Sequence, residues 1–425
     1  MGKSRREFIK KMAVVGAGVS VMANPLFNDV FAGNNSGVTK LAIIGTGSRG
    51  RYLQEHLYRI QEEGNKEFEI VALCDNYAPS LNKSLALAKK YHNSPKAFRN
   101  YKSLLKQVSV EGVVIATPLF QHAHIAIDCM KEGVHVLCEK AMARTLEDTK
   151  AMYDTHVNTG SILLIGHQRL FSDKYNMAMQ RIQKGELGVI GQMHAHWHRG
   201  NDWRRSVPKD KPELERQINW RLYKEYSAGL LTELMSHQIQ VANWVKQKTP
   251  VSVMGTGSIR YWHDGREVDD NLAAIFTYDD GTQFTYDSQT INKRYGCEEE
   301  IVGDKGVFEL ETNKYYPTKA VLPEPAPGIA QMIGDIEKGL FEDVPIGGPS
   351  WSPETKKRQM AVPIFEGQVG DGTKEELIHF VRFIKKGQCP SWMLKEGYNA
   401  SIWTLLTEQA IDKGEVLTMP HKYRI

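Results

Sequence analysis

The spacing of hydrophobic positions along the chain changes near residue 166. Before this point, short apolar runs alternate with segments of helical periodicity. The runs lie near residues 39–45, 68–74, 112–117, 134–138 and 162–166, and the helical segments near 49–63, 79–92, 100–107, 121–132 and 146–159. Apolar strands that alternate with helices are typical of a parallel sheet that is buried on both faces. The pattern therefore predicts a doubly wound parallel α/β domain over residues 38–166.

After residue 166 the strand-like segments alternate between apolar and polar positions. They lie near residues 188–199, 251–262, 269–279, 281–291, 298–303 and 306–312. A helix is predicted near 227–247, a long loop rich in Pro and Gly over 322–357, and two final helices near 373–387 and 395–413. Alternation favours a sheet with one solvated face. We predict an α+β domain with an open, mostly antiparallel sheet over 167–372, followed by C-terminal helices over 373–425.

The first apolar run leads directly into a glycine-rich turn. The sequence there is Leu41-Ala42-Ile43-Ile44-Gly45-Thr46-Gly47-Ser48-Arg49-Gly50, and a helical segment follows. Gly45 allows a tight turn, Gly47 lets the backbone approach a pyrophosphate, and Gly50 lets the helix pack closely on the strand. The free N–H groups at the start of the helix suit phosphate oxygens. The motif predicts a dinucleotide site.

An acidic residue stands where such a site needs one. Asp75 ends the second apolar run, 25 residues after Gly50. A carboxylate at this place bonds the ribose 2′-hydroxyl of NAD and repels the 2′-phosphate of NADP. We therefore expect NAD as the cofactor.

The first 32 residues carry the pattern of an export signal. Two basic pairs, Arg5-Arg6 and Lys10-Lys11, precede an uncharged stretch from Met12 to Ala23, and Val30-Phe31-Ala32 suits cleavage after Ala32. This order is typical of a twin-arginine-type signal, and the stretch is too short to span a bilayer. We expect a periplasmic or secreted protein without a stable membrane anchor.

Removal of residues 1–32 also changes the charge. The whole chain has a formal net charge of +4, and this segment holds five basic and two acidic residues, so the remainder carries +1. The slight excess of basic over acidic residues therefore gives no evidence for a nucleic-acid partner, and we expect none.

Candidate chemistry follows two later strands of the first domain. Thr117, Pro118 and His122 follow one strand, and Glu139-Lys140 follows the next. Open α/β sheets bind ligands at the carboxyl ends of their strands. A lysine at this edge can hydrogen-bond a substrate hydroxyl and stabilise a developing alkoxide.

These residues, in this order, resemble the glucose–fructose oxidoreductase / inositol dehydrogenase / MocA (GFO/IDH/MocA) family. The resemblance implies a Rossmann domain, a second domain with an open sheet, and oxidation or reduction of sugar and cyclitol carbons with NAD or NADP. It matches the family's Glu-Lys-Pro motif to Glu139-Lys140, with Ala141 in place of the proline. It also implies that Thr117, Pro118 and His122 border the nicotinamide.

The resemblance further implies a catalytic histidine at His237, on the first helix of the second domain. Glu233 stands where many members carry Asp. A spacing of four residues puts Glu233 and His237 on one helix face, so the carboxylate could orient or charge the imidazole. We take Lys140, His237 and Glu233 as the candidate catalytic residues.

Further candidates follow from strand ends and aromatic–arginine pairs. Gln168 and Arg169 follow a strand end and resemble the family's entry to the substrate cleft, and we assign Gln168 to the cofactor and Arg169 to the substrate. Trp220, Arg221 and Tyr223 suit a sugar face and its hydroxyls or a packing role. The alternating residues His194, His196 and His198 share one face of a strand and could bind a metal, but this spacing more often lines a cleft or an interface. We expect no metal and assign His198 to the substrate.

Export limits the possible functions, because free NAD is scarce outside the cytoplasm. We predict an exported oxidoreductase that acts on a sugar or glycoside hydroxyl with a retained cofactor. The first alternative is an NAD-dependent glycosidase that works by transient oxidation, elimination and re-reduction. The second is a non-catalytic sugar-binding protein on the same fold. We also expect a homo-oligomer formed through the C-terminal sheet.

Overall fold

Residues 37–318 and 361–425 are described by the structure, which is a computed structural model of the chain. The predicted export signal at 1–32 and the predicted loop at 322–357 lie outside these residues. Within the described ranges, no helix is both long enough and apolar enough to cross a membrane.

Six strands of the first half form one parallel sheet in the order β3-β2-β1-β4-β5-β6. They are β1 (Thr39–Ile44), β2 (Phe68–Cys74), β3 (Lys96–Phe98), β4 (Gly112–Ile115), β5 (His135–Glu139) and β6 (Leu163–Gly166). All four residues of β4 and of β6 are buried. Continuous apolar strands suit a sheet that is covered on both faces. The predicted doubly wound α/β fold is confirmed.

Five helices alternate with these strands. They are α1 (Ser48–Glu62), α2 (Ala78–Lys90), α3 (Tyr101–Gln107), α4 (His122–Lys131) and α5 (Leu146–Thr159). The edge strand β3 was not predicted, because it has only three residues and two of them are exposed. The sequence therefore offered no apolar run at this place.

The second half contains an eight-stranded sheet in the order β14-β13-β12-β11-β7-β10-β9-β8. Its strands are β7 (Ile190–His198), β8 (Ser252–Ser258), β9 (Asn271–Thr277), β10 (Gln283–Gln289), β11 (Cys297–Gly303), β12 (Gly306–Glu309), β13 (Lys314–Pro317) and β14 (Val362–Pro363). Neighbouring strands are antiparallel, except for the parallel pair β7 and β10. The predicted mostly antiparallel sheet is confirmed.

One face of this sheet is buried and the other is open. Phe276, Phe284 and Phe308 are at most 2% exposed, whereas Met254 and Ile275 are 49% and 40% exposed. The alternation seen in the sequence therefore separates a core face from a solvated face.

The remaining helices are α6 (Asp173–Gln183), α7 (Glu215–Ile218), α8 (Ser236–Lys246), α9 (Thr373–Lys386) and α10 (Ser391–Lys413). Helix α6 was not predicted, because its buried positions include Lys174 and Asn176, which interrupt the apolar stripe. The single helix predicted near 227–247 is a π-helical turn, Leu231–Met235, that continues as α8.

Helix α10 joins the two halves of the molecule. Trp403 packs edge to face on Phe276 of the second sheet, with ring centroids 6.3 Å apart. Ser401 Oγ accepts a hydrogen bond from Met142 N, which follows β5, at 2.9 Å. On the same helix, a Cβ added to Gly397 would lie 2.7 Å from Ile165 Cβ. These contacts hold the carboxyl ends of β5 and β6 against the second domain, and the candidate site lies there.

Candidate active site

The glycine-rich turn forms one wall of a cavity of about 1130 Å³ at the carboxyl edge of the first sheet. Gly45 has φ +91°, and a Cβ there would lie 2.5 Å from Thr117 N, so any larger residue would strain the turn. A Cβ on Gly50 would lie 1.9 Å from Gly45 O. Gly47 lines the cavity, and a Cβ there would meet no atom within 4 Å. The turn is therefore closed toward the protein and open toward the cavity.

Asp75 also lines this cavity, and its carboxylate holds the turn in place. Its Oδ2 accepts hydrogen bonds from Thr46 N at 2.7 Å and Thr46 Oγ1 at 3.1 Å, and its Oδ1 accepts one from Tyr77 N at 2.8 Å. The glycine turn and the ribose-binding acid of the sequence motif thus form one connected unit.

Three observations fit a dinucleotide in this cavity. Helix α1 begins at Ser48 without a side-chain cap, so its first N–H groups have no capping side chain, and the space beside the preceding Gly47 is open. Asp75 can still accept a ribose hydroxyl, because its Oδ1 accepts one hydrogen bond and has further acceptor capacity. Thr117 Oγ1 is buried without a hydrogen-bond partner in the described part of the chain, and it lies beside the cavity.

A second cavity, of about 780 Å³, adjoins the first and shares residues with it. Ser48, Arg49, Thr117, Trp220 and Arg221 line both cavities. Of the other predicted site residues, the second cavity is lined by His122, Glu139, Lys140, Gln168, Glu233 and His237. Pro118 lines the first cavity, and Thr46 and Gly50 support the turn from behind. Most of the predicted residues therefore meet at one place.

Lys140 reaches from β5 to the second domain. Its Nζ donates to Glu233 O at 2.6 Å and lies 3.3 Å from Thr232 O. Both carbonyls belong to the π-helical turn, a conformation that is frequent at functional sites. Burial lowers the pKa of Lys140 below its ordinary value of 10.5. The ammonium has a third N–H for a ligand in the cavity.

His237 is a neutral imidazole at the wall of the second cavity. Burial, and then the positive charges of Lys140 and Arg169, lower its pKa well below 6.5. Its Nδ1 is buried and has no hydrogen-bond partner among residues 37–318 and 361–425. Since His237 lines the cavity, we infer that Nε2 is the nitrogen that a substrate meets.

The segment around Lys140 is fixed by its neighbours. Glu139 accepts a hydrogen bond from Arg49 Nε at 2.6 Å, which ties β5 to the glycine turn. The two ring nitrogens of His122 each lie 3.0 Å from a backbone carbonyl oxygen, Nδ1 from Ala141 O and Nε2 from Thr117 O. The Lys140–Ala141 peptide bond is cis, although alanine takes the place of the family proline.

Glu233 does not take the predicted position relative to His237. Its Oε2 accepts a hydrogen bond from Arg221 Nε at 2.5 Å instead. Burial alone would raise the pKa of the Glu233 carboxyl, but the positive charges of Arg221 and then Lys140 hold this pKa below its ordinary value. The expected orientation of His237 by Glu233 is therefore corrected, because the carboxylate pairs with a guanidinium in preference to a neutral ring.

Arg169 is not among the residues that line the two cavities, and its predicted contact with substrate is corrected. The side chain is 7% exposed and forms ion pairs with Glu299, at 2.6 Å, and with Glu311. Cys297, Glu299 and Glu311 lie close enough together to hold a metal ion. The cations Arg169 and Lys174 already neutralise these carboxylates, so the cluster is better described as a salt-bridge network.

His198 and Tyr223 also point away from the cavities. Trp197 lines the second cavity, and successive side chains of a strand point to opposite faces, so His198 lies on the other face and pairs with Asp287. Tyr223 is 7% exposed, and its hydroxyl donates to Glu215 Oε1 at 2.9 Å. Both predicted substrate contacts are therefore corrected.

The sequence analysis missed a segment of the second domain that lies across both cavities. We call residues 199–226, between β7 and Ser227, the cover segment. It supplies Arg199, Trp203 and Arg205 to the second cavity, and Arg205, Arg216 and Gln217 to the first. Beyond the aromatic–arginine pair at Trp220 and Arg221, its sequence carried no known motif.

The joined cavities define a class of protein, a two-domain nicotinamide-dependent oxidoreductase with its substrate site between the domains. Two family models match the chain. Residues 39–167 match an oxidoreductase family with an NAD-binding Rossmann fold, and residues 175–309 match the GFO/IDH/MocA C-terminal domain. Together they cover more than half of the sequence, and the chain belongs to the GFO/IDH/MocA oxidoreductase family. The predicted family, enzyme class and NAD cofactor are confirmed.

Similar proteins include two curated relatives. A glycosyl hydrolase family 109 protein of Stenotrophomonas maltophilia (strain K279a) is 32% identical over 198 residues, which cover 45% of this chain and 41% of that protein. A levoglucosan dehydrogenase of Pseudarthrobacter phenanthrenivorans is 29% identical over 147 residues, which cover 34% of this chain and 35% of that protein. The matches thus span less than half the length of either relative.

A solved structure shares the fold over a longer part of the chain. It is a levoglucosan dehydrogenase in complex with NADH and levoglucosan. The TM-score is 0.68 at 18% identity, and the alignment covers 90% of this chain and 100% of that chain.

Proposed function

We propose that the protein is an exported, NAD-dependent oxidoreductase that acts on a hydroxyl group of a sugar or glycoside and retains its cofactor. One observation carries the proposal. An ammonium group, Lys140, and a neutral imidazole, His237, line one cavity that continues into the dinucleotide site. The dehydrogenase and glycosyl hydrolase relatives support a carbohydrate substrate.

The residues of the cavity have separate tasks in this reaction. His237 Nε2 accepts the proton of the substrate hydroxyl, since its lowered pKa keeps the ring neutral at pH 7. Lys140 donates a hydrogen bond to the same oxygen and stabilises the negative charge that develops there. NAD held in the first cavity would accept the hydride from the carbon that bears this oxygen. Trp197 and Trp220 offer flat surfaces for the sugar ring.

A glycosidase reaction is the second candidate, and the glycosyl hydrolase family 109 relatives favour it. Oxidation at carbon 3 acidifies the C–H bond at carbon 2. A base then removes this proton, and the glycosidic group leaves from carbon 1. Water adds to carbon 1, a proton returns to carbon 2, and the hydride returns to carbon 3. The cycle consumes water and leaves the cofactor as it began.

The export signal predicted at residues 1–32 supports retention of the cofactor, because released NAD would not be replaced outside the cytoplasm. We propose that loading precedes export, as the twin-arginine-type signal suggests. The open face of the second sheet, with exposed Met254 and Ile275, is the surface that we propose for a homo-oligomer.

A product assay in deuterium oxide separates the two candidate reactions. Purified protein is incubated with a panel of sugars and glycosides while NADH absorbance and the products are followed. An oxidoreductase that retains its cofactor yields an oxidised sugar from one substrate and a reduced sugar from a second, which takes the hydride and restores NAD, so the panel includes pairs of sugars. A glycosidase of this type releases the aglycone, and its product carries deuterium at carbon 2.

The same assay tests the role of His237. We expect His237→Ala to lower kcat about 10²-fold or more, as for removal of a general base, while the exposed His421→Ala keeps the rate. No turnover of any carbohydrate by the wild type, or full activity of His237→Ala, would contradict the proposal.

A further inference from the structure

The cover segment carries an arginine that reaches the glycine turn from the opposite domain. Arg205 lines both cavities, and its Nη2 lies 3.2 Å from Ser48 Oγ, at the first residue of α1. Ser48 lines both cavities and follows Gly47, where an added Cβ would meet no atom within 4 Å. The guanidinium therefore lies opposite the free N–H groups at the start of the helix.

The backbone of Arg205 is held firmly in place. Arg205 N donates to Asn219 Oδ1 at 2.7 Å, and Asn219 Nδ2 donates back to Arg205 O at 3.0 Å. Asn219 itself is 2% exposed. The preceding Arg204 forms ion pairs with Asp264, at 3.0 Å, and with Glu215. The cover segment is thus anchored on both sides of Arg205, and from this anchored backbone the Arg205 side chain extends to Ser48 of the first domain.

The charges around Arg205 suit an anion. Its guanidinium has no carboxylate partner among the described residues, and its closest contact is the uncharged hydroxyl of Ser48. Partial burial, and then the positive charge of Arg221, lower the pKa of Arg205. The negative charge of Glu233 opposes this effect, but that carboxylate is already paired with Arg221. Arg51, which donates to Thr46 O at 2.6 Å, adds a further like charge. Convergence of like charges is unfavourable unless an anion lies between them.

We propose that Arg205 binds the pyrophosphate of the cofactor from the second domain, so that the dinucleotide is held between the glycine turn and the cover segment. The inference rests on the dinucleotide site of the proposed function and extends it. A guanidinium can bond two phosphate oxygens at once, which a hydroxyl or an ammonium cannot. Release of the cofactor then requires the cover segment to move away, which gives retention a structural basis.

Fragments of the cofactor locate the interaction. ADP-ribose contains the pyrophosphate, and adenosine does not. The variants are Arg205→Met, which removes the charge, and Arg205→Lys, which keeps a point charge but loses the planar fork. The control is Lys209→Met, on the same segment, because Lys209 is exposed and does not line either cavity. Affinities are measured by calorimetry on cofactor-free protein, and NADH release by stopped-flow fluorescence.

We expect Arg205→Met to bind ADP-ribose at least about tenfold more weakly and to release NADH correspondingly faster, as for loss of a hydrogen bond to a charged group. The affinity for adenosine stays unchanged. In ADP-ribose affinity and NADH release rate, Arg205→Lys lies between the wild type and Arg205→Met, and Lys209→Met matches the wild type. If Arg205→Met does not fold, Arg205→Lys supports the inference by weakening the binding of ADP-ribose and leaving the binding of adenosine unchanged.

Two results would overturn the inference while the proposed function stands. One is unchanged affinity for ADP-ribose in a folded Arg205 variant, and the other is an equal loss for ADP-ribose and adenosine. A wild-type protein that binds neither NADH nor ADP-ribose would overturn the inference and the proposed function together.

Discussion

Replacement of His167 should change how the stability of the protein depends on pH. The side chain is 1% exposed, and both ring nitrogens lack hydrogen-bond partners in the described ranges. Burial, and then the charges of Lys140 and Arg169, lower the pKa of His167 to about 3. The unfolded chain binds a proton at this residue below about pH 6.5, and the folded chain binds it only near pH 3.

This difference makes the folded protein less stable in acid. The contribution of His167 to the free energy of unfolding is constant above pH 6.5. Below pH 6.5 this contribution falls by about 1.4 kcal/mol per pH unit, until the pKa of the folded state is reached. Between pH 7.5 and pH 5.0 the wild type should lose about 2 kcal/mol through His167 alone. His167→Phe removes this loss, since a phenyl ring does not titrate and needs no hydrogen bond.

Urea unfolding at the two pH values tests this prediction, with tryptophan fluorescence and circular dichroism as independent probes. Any packing cost of the larger ring is present at both pH values and cancels in the comparison. The free energy of unfolding should fall by about 2 kcal/mol less in His167→Phe than in the wild type. The exposed variant His421→Phe should follow the wild type. An equal loss in His167→Phe and wild type would refute the argument.

Three further predictions concern the cavity. Asp75→Ala should weaken NAD binding and relax the discrimination against NADP, as fluorescence titration can measure, and a wild type that prefers NADP would contradict the role of Asp75. Lys140→Met should abolish turnover and leave NADH affinity largely intact, and near-wild-type rates would exclude the role given to Lys140. In the profile of kcat/KM against pH, the acid limb should have its midpoint below pH 6.5, where His237 gains a proton, and the basic limb should have its midpoint below pH 10.5, where Lys140 loses one. Lys140→Arg should move the basic limb to higher pH, and an acid limb with its midpoint above pH 6.5 would contradict the neutral state of His237.

The fold and the cofactor site could be predicted from the sequence because their signals are local. Buried parallel strands appear as apolar runs, and the glycine turn needs its residues at fixed positions near one strand end. Asp75 follows the next strand by the same rule. Such features depend on neighbours in sequence, which the sequence shows directly.

Two of the predictions that required correction failed because of side-chain pairings that the sequence does not reveal. Arg169 is neutralised by Glu299 and Glu311, more than a hundred residues later, and Glu233 pairs with Arg221 across a turn. The sequence gives no sign of either pairing. His198 is different. Met193, Ala195 and Trp197 are spaced two apart and share one face of the strand, and Met193 and Ala195 are buried. The alternation in the sequence therefore already placed His198 on the opposite, open face.

The proposed function requires that NAD stays bound to the protein through a closed catalytic cycle. Mass spectrometry of gently denatured, purified protein, combined with a turnover assay without added cofactor, tests it most directly. We expect a dinucleotide in near-equal amount to the protein, and turnover of a glycoside or a sugar pair without accumulation of NADH. Protein that purifies without a dinucleotide, and forms NADH in proportion to product from added NAD, would contradict it.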